Sequence, residues 1–320
     1  MMHRRRFLQS SATTALLACF PAGLSGLARE RTPGQIEKRA LGKTGEMLSM
    51  IGFGGIVVMD ATSTEASQRV SQAIDYGINY FDVAPTYGNA EEMLGPALEA
   101  YRKGVFLACK TQARDRDGAL KELESSLRNL RTNHFDLYQM HAVTTVADAR
   151  KILAPGGALE AFQQARKDGK IRFIGFSAHS VEAALTLLDG FAFDTILFPV
   201  NFKTWNAGDF GPQVLQKAKE KEVAVLALKA LANGPWPEGV ERIPKCWYQP
   251  LTDMKQAELG LRFTLSHPVT AAIPPGNEDL FRKALDLALR FEPLDAQEVA
   301  EIKRLAAVGQ PLFRYPSTEA

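Results

Sequence analysis

The chain has 320 residues, 46% of them hydrophobic and 23% charged, with a formal net charge of +2. That composition suits a globular protein with a sizeable core, and the length admits one large domain or two small ones. The near-neutral balance offers no electrostatic footprint for nucleic acid, and the scattered cysteines and histidines lack metal-ligand spacing, so no metal is expected.

The first stretch is a basic run, His3-Arg4-Arg5-Arg6, followed by Phe7-Leu8 and an apolar segment over 12–20. It is too short and too interrupted for a stable membrane span. It fits the charged, apolar and small-residue regions of an export signal, with cleavage after Ala28. The Arg4-Arg5-x-Phe7-Leu8 core resembles a twin-arginine signal, which implies the twin-arginine export machinery as a partner and the periplasm as the destination. A general secretory signal or a basic arm is the alternative. Removal of residues 1–28 leaves two cysteines, Cys109 and Cys246, too few for a disulfide framework. Residues 29–40 read as a linker.

A rhythm of strand, then helix, follows over 41–309. Strands are expected at 50–58, 80–84, 105–110, 135–141, 171–177, 195–200, 223–228 and 269–273. Helices are expected at 64–77, 91–101, 118–130, 158–167, 181–188, 212–221, 253–265 and 278–289, on the helical spacing of their apolar residues. The strands are continuous apolar runs, as parallel strands buried on both faces require. Eight such units at a spacing of roughly thirty residues predict a (β/α)8 TIM barrel in a single domain. A doubly wound open sheet is disfavoured, because no Gly-x-Gly-x-x-Gly turn follows the first strand. Residues 233–252 form a long loop rich in proline and aromatics, suited to wall a pocket. His179, Trp205, Trp236 and Trp247 are candidates to line it. Residues 310–320 read as an extended strap or a disordered tail.

The strand exits carry the chemistry. Pro85 ends the second strand, which leaves Asp82 at its exit and Tyr87 in the next loop. Lys110, His141, Ser177 and Asn201 stand at the next four exits, and in a barrel these points meet on one rim. A phenol has an ordinary pKa near 10. A neighbouring ammonium is expected to lower it, and a carboxylate keeps that ammonium charged and placed. Tyr87, Lys110 and Asp82 thus make a proton donor with its tuning partners, and His141 can orient a carbonyl oxygen.

These residues fall within stretches that resemble the aldo-keto reductase superfamily over about residues 41–289: Leu41-Gly42-Lys43-Thr44-Gly45, Gly52-Phe53-Gly54-Gly55, Gly77-Ile78-Asn79-Tyr80-Phe81-Asp82, Tyr87-Gly88, Ala108-Cys109-Lys110, the run from Phe135 to His141, and the run from Gly169 to Ser177. The resemblance implies a catalytic tetrad of Asp82, Tyr87, Lys110 and His141. It also implies NADP(H), less often NAD(H), as cofactor and a small-molecule carbonyl or alcohol as substrate. Cofactor contacts would come from Gly54, Gly55, Asp82, Ser177, Asn201, Leu228, Lys229, Leu231, Arg282 and Lys283, the last two toward a 2′-phosphate. The pattern departs from the family where Ser177-Ala178 replaces Ser-Asn and Leu228-Lys229 replaces a stacking tyrosine. The turn after strand eight, Ile273-Pro274-Pro275-Gly276, is also shorter and lacks the Glu-Asn pair. Two other readings stay open: a dinucleotide-binding sensor or accessory protein with little turnover, and a Schiff-base lyase using Lys110 or Lys229.

Overall fold

The apolar runs become strands in the computed structural model, which describes residues 29–30, 32 and 34–316. The export-signal reading over 1–28 lies outside the described residues. Eight strands carry the fold: β1 (Phe53–Gly54), β2 (Tyr80–Asp82), β3 (Phe106–Thr111), β4 (Phe135–Val143), β5 (Ile171–Ala178), β6 (Thr195–Pro199), β7 (Ala224–Leu228) and β8 (Ala271–Ile273). They pair in chain order and in parallel. The Gly52 N–H donates to the Ala272 carbonyl at 3.0 Å, and the Ala272 N–H donates to Met50 at 2.9 Å. The barrel thereby closes, and its edge groups are satisfied.

Helices connect the strands on the outside: α1 (Ser63–Asp75), α2 (Ala90–Leu98), α3 (Arg116–Asn129), α4 (Val146–Leu153), α5 (Ala158–Lys167), α6 (Val181–Gly190), α7 (Phe202–Gly208), α8 (Pro212–Glu220), α9 (Met254–Leu265), α10 (Glu278–Leu289) and α11 (Ala296–Ala306). Local chemistry starts several of them. Thr62 and Glu65 make a capping box at α1, and Asp295 and Glu298 make one at α11. Among the described residues, no helix is long and apolar enough to cross a membrane.

Three differences from the sequence reading have local causes. The first strand is shorter than 50–58, because Gly55–Val58 turns into a 3-10 helix. Gly55 packs so closely on β2 that a Cβ there would stand 2.6 Å from Val83 Cγ2. Second, 29–40 is not plain linker: Arg29–Glu30, Lys38–Ala40 and Met47–Ser49 form an antiparallel sheet. Leu41 and Leu48 from that segment join Phe106, Leu137, Leu226 and Ala271 in the cluster that fills the barrel. Third, α4, α7 and α11 were unanticipated; α4 and α11 each bury only two residues, too few for a clear apolar stripe. With the amino-terminal end of the barrel plugged, the open space lies at the carboxyl ends of the strands.

Candidate active site

A cavity of about 340 Å³ opens there, lined by Asp82, Tyr87, Lys110, His141, Ser177, His179, Leu228 and Lys229 among others. Asp82 and Lys110 are buried at the exits of β2 and β3 and form an ion pair. The Lys110 ammonium also donates to the Val83 carbonyl at 3.1 Å. On the other oxygen of Asp82, the Tyr80 hydroxyl donates at 3.1 Å and the Gln139 amide at 2.9 Å. Burial opposes the Lys110 charge, but Asp82 and Tyr87 outweigh it and hold its pKa above the ordinary value. Lys110 is thus held as a cation beside Asp82, a form that disfavours attack by its amine.

Tyr87 is positioned by a turn. Its N–H donates to the Ala84 carbonyl at 3.1 Å across Pro85 and Thr86, an arrangement that proline favours at the second position. Its ring centre lies 5.3 Å from the Lys110 ammonium and 5.8 Å from the His141 ring, which it meets edge-on at 83°. Here the sequence expectation needs correcting. Burial pushes the phenol above its usual range; Lys110 only partly opposes this, and Asp82 reinforces it. Tyr87 is thus a neutral O–H at physiological pH, the form that can donate a proton.

His141 stands where the ladder between β4 and β5 slips, between Met140 and Val143. Ala142 has φ of +51°, and its N–H donates to the Ser177 hydroxyl at 2.7 Å. Arg114 donates to the His141 carbonyl at 2.8 Å. Burial, followed by the charges of Lys110, His179 and Arg114, pushes the His141 imidazole down to about 3. A neutral ring beside a neutral phenol can orient a carbonyl oxygen by hydrogen bonding, without contributing charge of its own.

The expected cofactor contacts separate into two groups. Gly54, Ser177, Leu228 and Lys229 line the cavity with Asp82. Asn201 is buried and spends its amide on protein: Oδ1 accepts from Lys203 and Thr204, and Nδ2 donates to the Lys229 and Ala232 carbonyls. It positions the exit of β7 and lies outside the lining of the cavity. Gly55 and Leu231 are packed into the core. Arg282 is ion-paired with Glu278 and borders a surface groove with Glu65 and Asp75. Lys283 follows it on α10, outside the lining of the cavity. Neither of these two basic residues lines the cavity.

Of the four suggested lining residues, His179 and Trp247 reach the cavity. Trp205 packs on Phe263 and His267, while Trp236 donates to the Cys246 carbonyl at 2.9 Å and braces the long loop. Tyr80, Gln139, Arg114 and Lys245 escaped the sequence reading, although Tyr80 and Gln139 fall inside quoted stretches, whereas Tyr248 belongs to the aromatic loop expected to wall a pocket. The walls suit a flat ring bearing an amide. Leu228 and Ile273 are apolar, and a Cβ at Gly54 would stand 3.0 Å from Ile273 Cγ2. The Nε2 of His179 is buried without a hydrogen-bond partner among the described residues. Ser177 and His179 are thus available to a nicotinamide carboxamide, with Leu228 and Ile273 against its ring. No cluster of metal-ligating side chains occurs among the described residues.

Comparison with known proteins identifies the family and the fold. A family model described as "Aldo/keto reductase family" matches residues 50–246. L-galactose dehydrogenase of Arabidopsis thaliana is 27% identical over 239 residues, covering 70% of this chain and 73% of that protein. The aldo-keto reductase YhdN of Bacillus subtilis is 29% identical over 218 residues, covering 62% of this chain and 63% of that protein. Among solved structures, the holo form of an aldo-keto reductase from Bacillus halodurans superposes with a TM-score of 0.67 at 24% identity, over 85% of this chain and 97% of that one. An aldo-keto reductase from Klebsiella pneumoniae in complex with NADPH gives 0.67 at 21% identity, over 91% and 100%. Both structures share the barrel fold.

Proposed function

Because this chain belongs to the aldo/keto reductase family, we propose that it is an oxidoreductase that interconverts a carbonyl compound and its alcohol, using NADP(H) or NAD(H). The observation that carries this reading is the Tyr87 phenol, held at the cavity between the Lys110 ammonium and the His141 ring. The bound nicotinamide supplies or accepts hydride. Everything else falls to the chain's own residues. His141 and Tyr87 hold the substrate oxygen, and Tyr87 gives it a proton as negative charge develops there. Lys110 stabilises the phenolate left behind, and Asp82 fixes Lys110 in place. In the oxidative direction the same phenolate takes the proton back. A sensor without turnover has no use for an Asp82 tied by three donors, which favours the enzyme.

Export by the twin-arginine route is part of this proposal and rests on the Arg4-Arg5-x-Phe7-Leu8 run. A protein that acquires a dinucleotide in the cytoplasm must cross the membrane folded. The destination would be the periplasm; cytoplasmic retention of the full chain in fractionated cells would refute it.

The reductase reading is tested by fluorescence titration of the chain from Arg29 onward with NADPH and NADH, beside Tyr87→Phe. Both proteins should bind nucleotide alike, while turnover on a panel of aldehydes falls about 10²- to 10⁴-fold in the variant. Failure of both nucleotides to bind would sink the cofactor assignment.

A further inference from the structure

Lys229 follows β7 with φ of +69°, a conformation uncommon for a residue with a side chain. Its carbonyl accepts from the Asn201 amide at 3.0 Å and from the Ala232 N–H at 2.9 Å, which fixes the turn. The side chain lines the cavity. Its ammonium lies 4.6 Å from the centre of the Tyr248 ring and 5.5 Å from that of Trp247. Trp247 in turn lies 6.2 Å from the Tyr87 ring. On the other side, the Lys229 charge helps to hold down the His179 imidazole, and His179 acts likewise on His141. The amine therefore lines the same cavity as Tyr87 and His141 and stands against Trp247, which itself faces Tyr87.

No anion accompanies it. Asp82 is the one carboxylate among the lining residues, and Lys110 occupies it. The other free-standing cation, Lys245, donates to the Val57 and Met59 carbonyls. Among the described residues, nothing accepts a hydrogen bond from the Lys229 ammonium or pairs with it. A half-buried ammonium without a counter-ion carries a desolvation cost, and two aromatic faces offset only part of it.

We propose that Lys229 anchors a carboxylate on the substrate, so that the enzyme acts on an oxo acid and the corresponding hydroxy acid. The carbonyl end lies at Tyr87 and His141, and the carboxylate end at Lys229 beneath Trp247 and Tyr248. This specificity role rests on the reductase reading given above, but anion binding at Lys229 can be measured without turnover.

The test compares wild-type protein with Lys229→Met, which keeps an unbranched apolar stem against both rings, and Lys229→Arg, which keeps the charge. Binding of 4-carboxybenzyl alcohol and of benzyl alcohol is followed by quenching of tryptophan fluorescence in the presence of saturating nucleotide. The values of kcat/KM are measured for the two matching aldehydes, and nucleotide Kd by titration. The wild type should favour the carboxylated partner of each pair by about 10- to 100-fold. That preference should collapse toward unity in Lys229→Met and largely survive in Lys229→Arg, with nucleotide Kd within about twofold throughout. Equal binding of charged and neutral ligands by the wild type would overturn the proposal. A selective loss of nucleotide affinity in Lys229→Met would also overturn it, by assigning the amine to the cofactor's phosphates. So would a borohydride-trapped adduct on Lys229, which would make it a nucleophile. Charge-dependent ligand binding without turnover of either aldehyde would uphold the anion anchor and refute the reductase.

Discussion

Asp82 shows what a single residue needs in order to serve the site. Its carboxylate is buried beneath the mouth of the cavity, and three groups hold it: Lys110, the Tyr80 hydroxyl and the Gln139 amide. Hydrogen bonds to a charged group each contribute about 1.5–3 kcal/mol. Replacing Gln139 by leucine removes one donor at similar volume, so Asp82 and the Lys110 it places become less firmly held. Gln139→Leu is expected to lower stability by about 1–3 kcal/mol, measured by denaturant unfolding. It should also lower kcat about tenfold while leaving nucleotide Kd unchanged; an unaltered kcat would show that Lys110 and Tyr80 together suffice to place Asp82. Asp82, Tyr87, Lys110 and His141 were legible because polar groups at strand ends have few packing explanations. Tyr80 and Gln139 were not, because inside an apolar strand they read as ordinary buried residues until the barrel turns both toward one oxygen.

At the scale of elements, legibility followed the length and contrast of the apolar pattern. Strands such as β4 and helices such as α3 and α10 carry enough buried positions to show their period. The helix α7 begins at once on Asn201, whose capping amide resembles a ligand residue when only its position at a strand exit is known. The start of α10 bears on the expected 2′-phosphate contacts, Arg282 and Lys283. Asn277 caps that helix, and Glu278 and Asp279 already complement its dipole. Arg69 lies 2.7 Å from Glu278, and Arg282 pairs with the same carboxylate one turn on. A phosphate arriving at Arg282 would have to displace that pairing beside Glu65 and Asp75. Arg282→Ala is therefore expected to change the Kd for NADPH by less than about twofold, since an exposed pair contributes only about 0–1 kcal/mol. A tenfold weakening confined to NADPH, with NADH unaffected, would return Arg282 to the 2′-phosphate.

Across the whole molecule, the two ends of the barrel are secured by different parts of the chain. Leu41 and Leu48 plug the amino-terminal end, whereas the carboxyl-terminal strap, 310–316, runs behind the active site. The Tyr315 N–H donates to the Gly208 carbonyl at 2.8 Å, and Arg314 donates to the Ala207 carbonyl at 3.0 Å. Gly208 has no room for a side chain, because a Cβ would stand 2.3 Å from the Phe313 carbonyl oxygen. The Phe313 ring stacks on Phe210 at 5.0 Å and on His179 at 5.6 Å, so the strap supports a residue that lines the cavity from the other side. Burial, aided by Lys229, holds the His179 imidazole down at about 4. Deleting residues from Gln310 onward uncovers that ring and the Phe210 face. The loss of one partly buried aromatic is expected to lower stability by about 1 kcal/mol. As the desolvation is relieved, the His179 pKa should rise from about 4 toward the ordinary histidine range. An NMR titration of the imidazole protons reads that shift directly, and its direction is diagnostic. An upward move with nucleotide Kd increased and kcat kept would show that the strap shapes the nicotinamide side of the cavity. An unmoved His179 in a folded, truncated protein would reduce the strap to a stabiliser of α7.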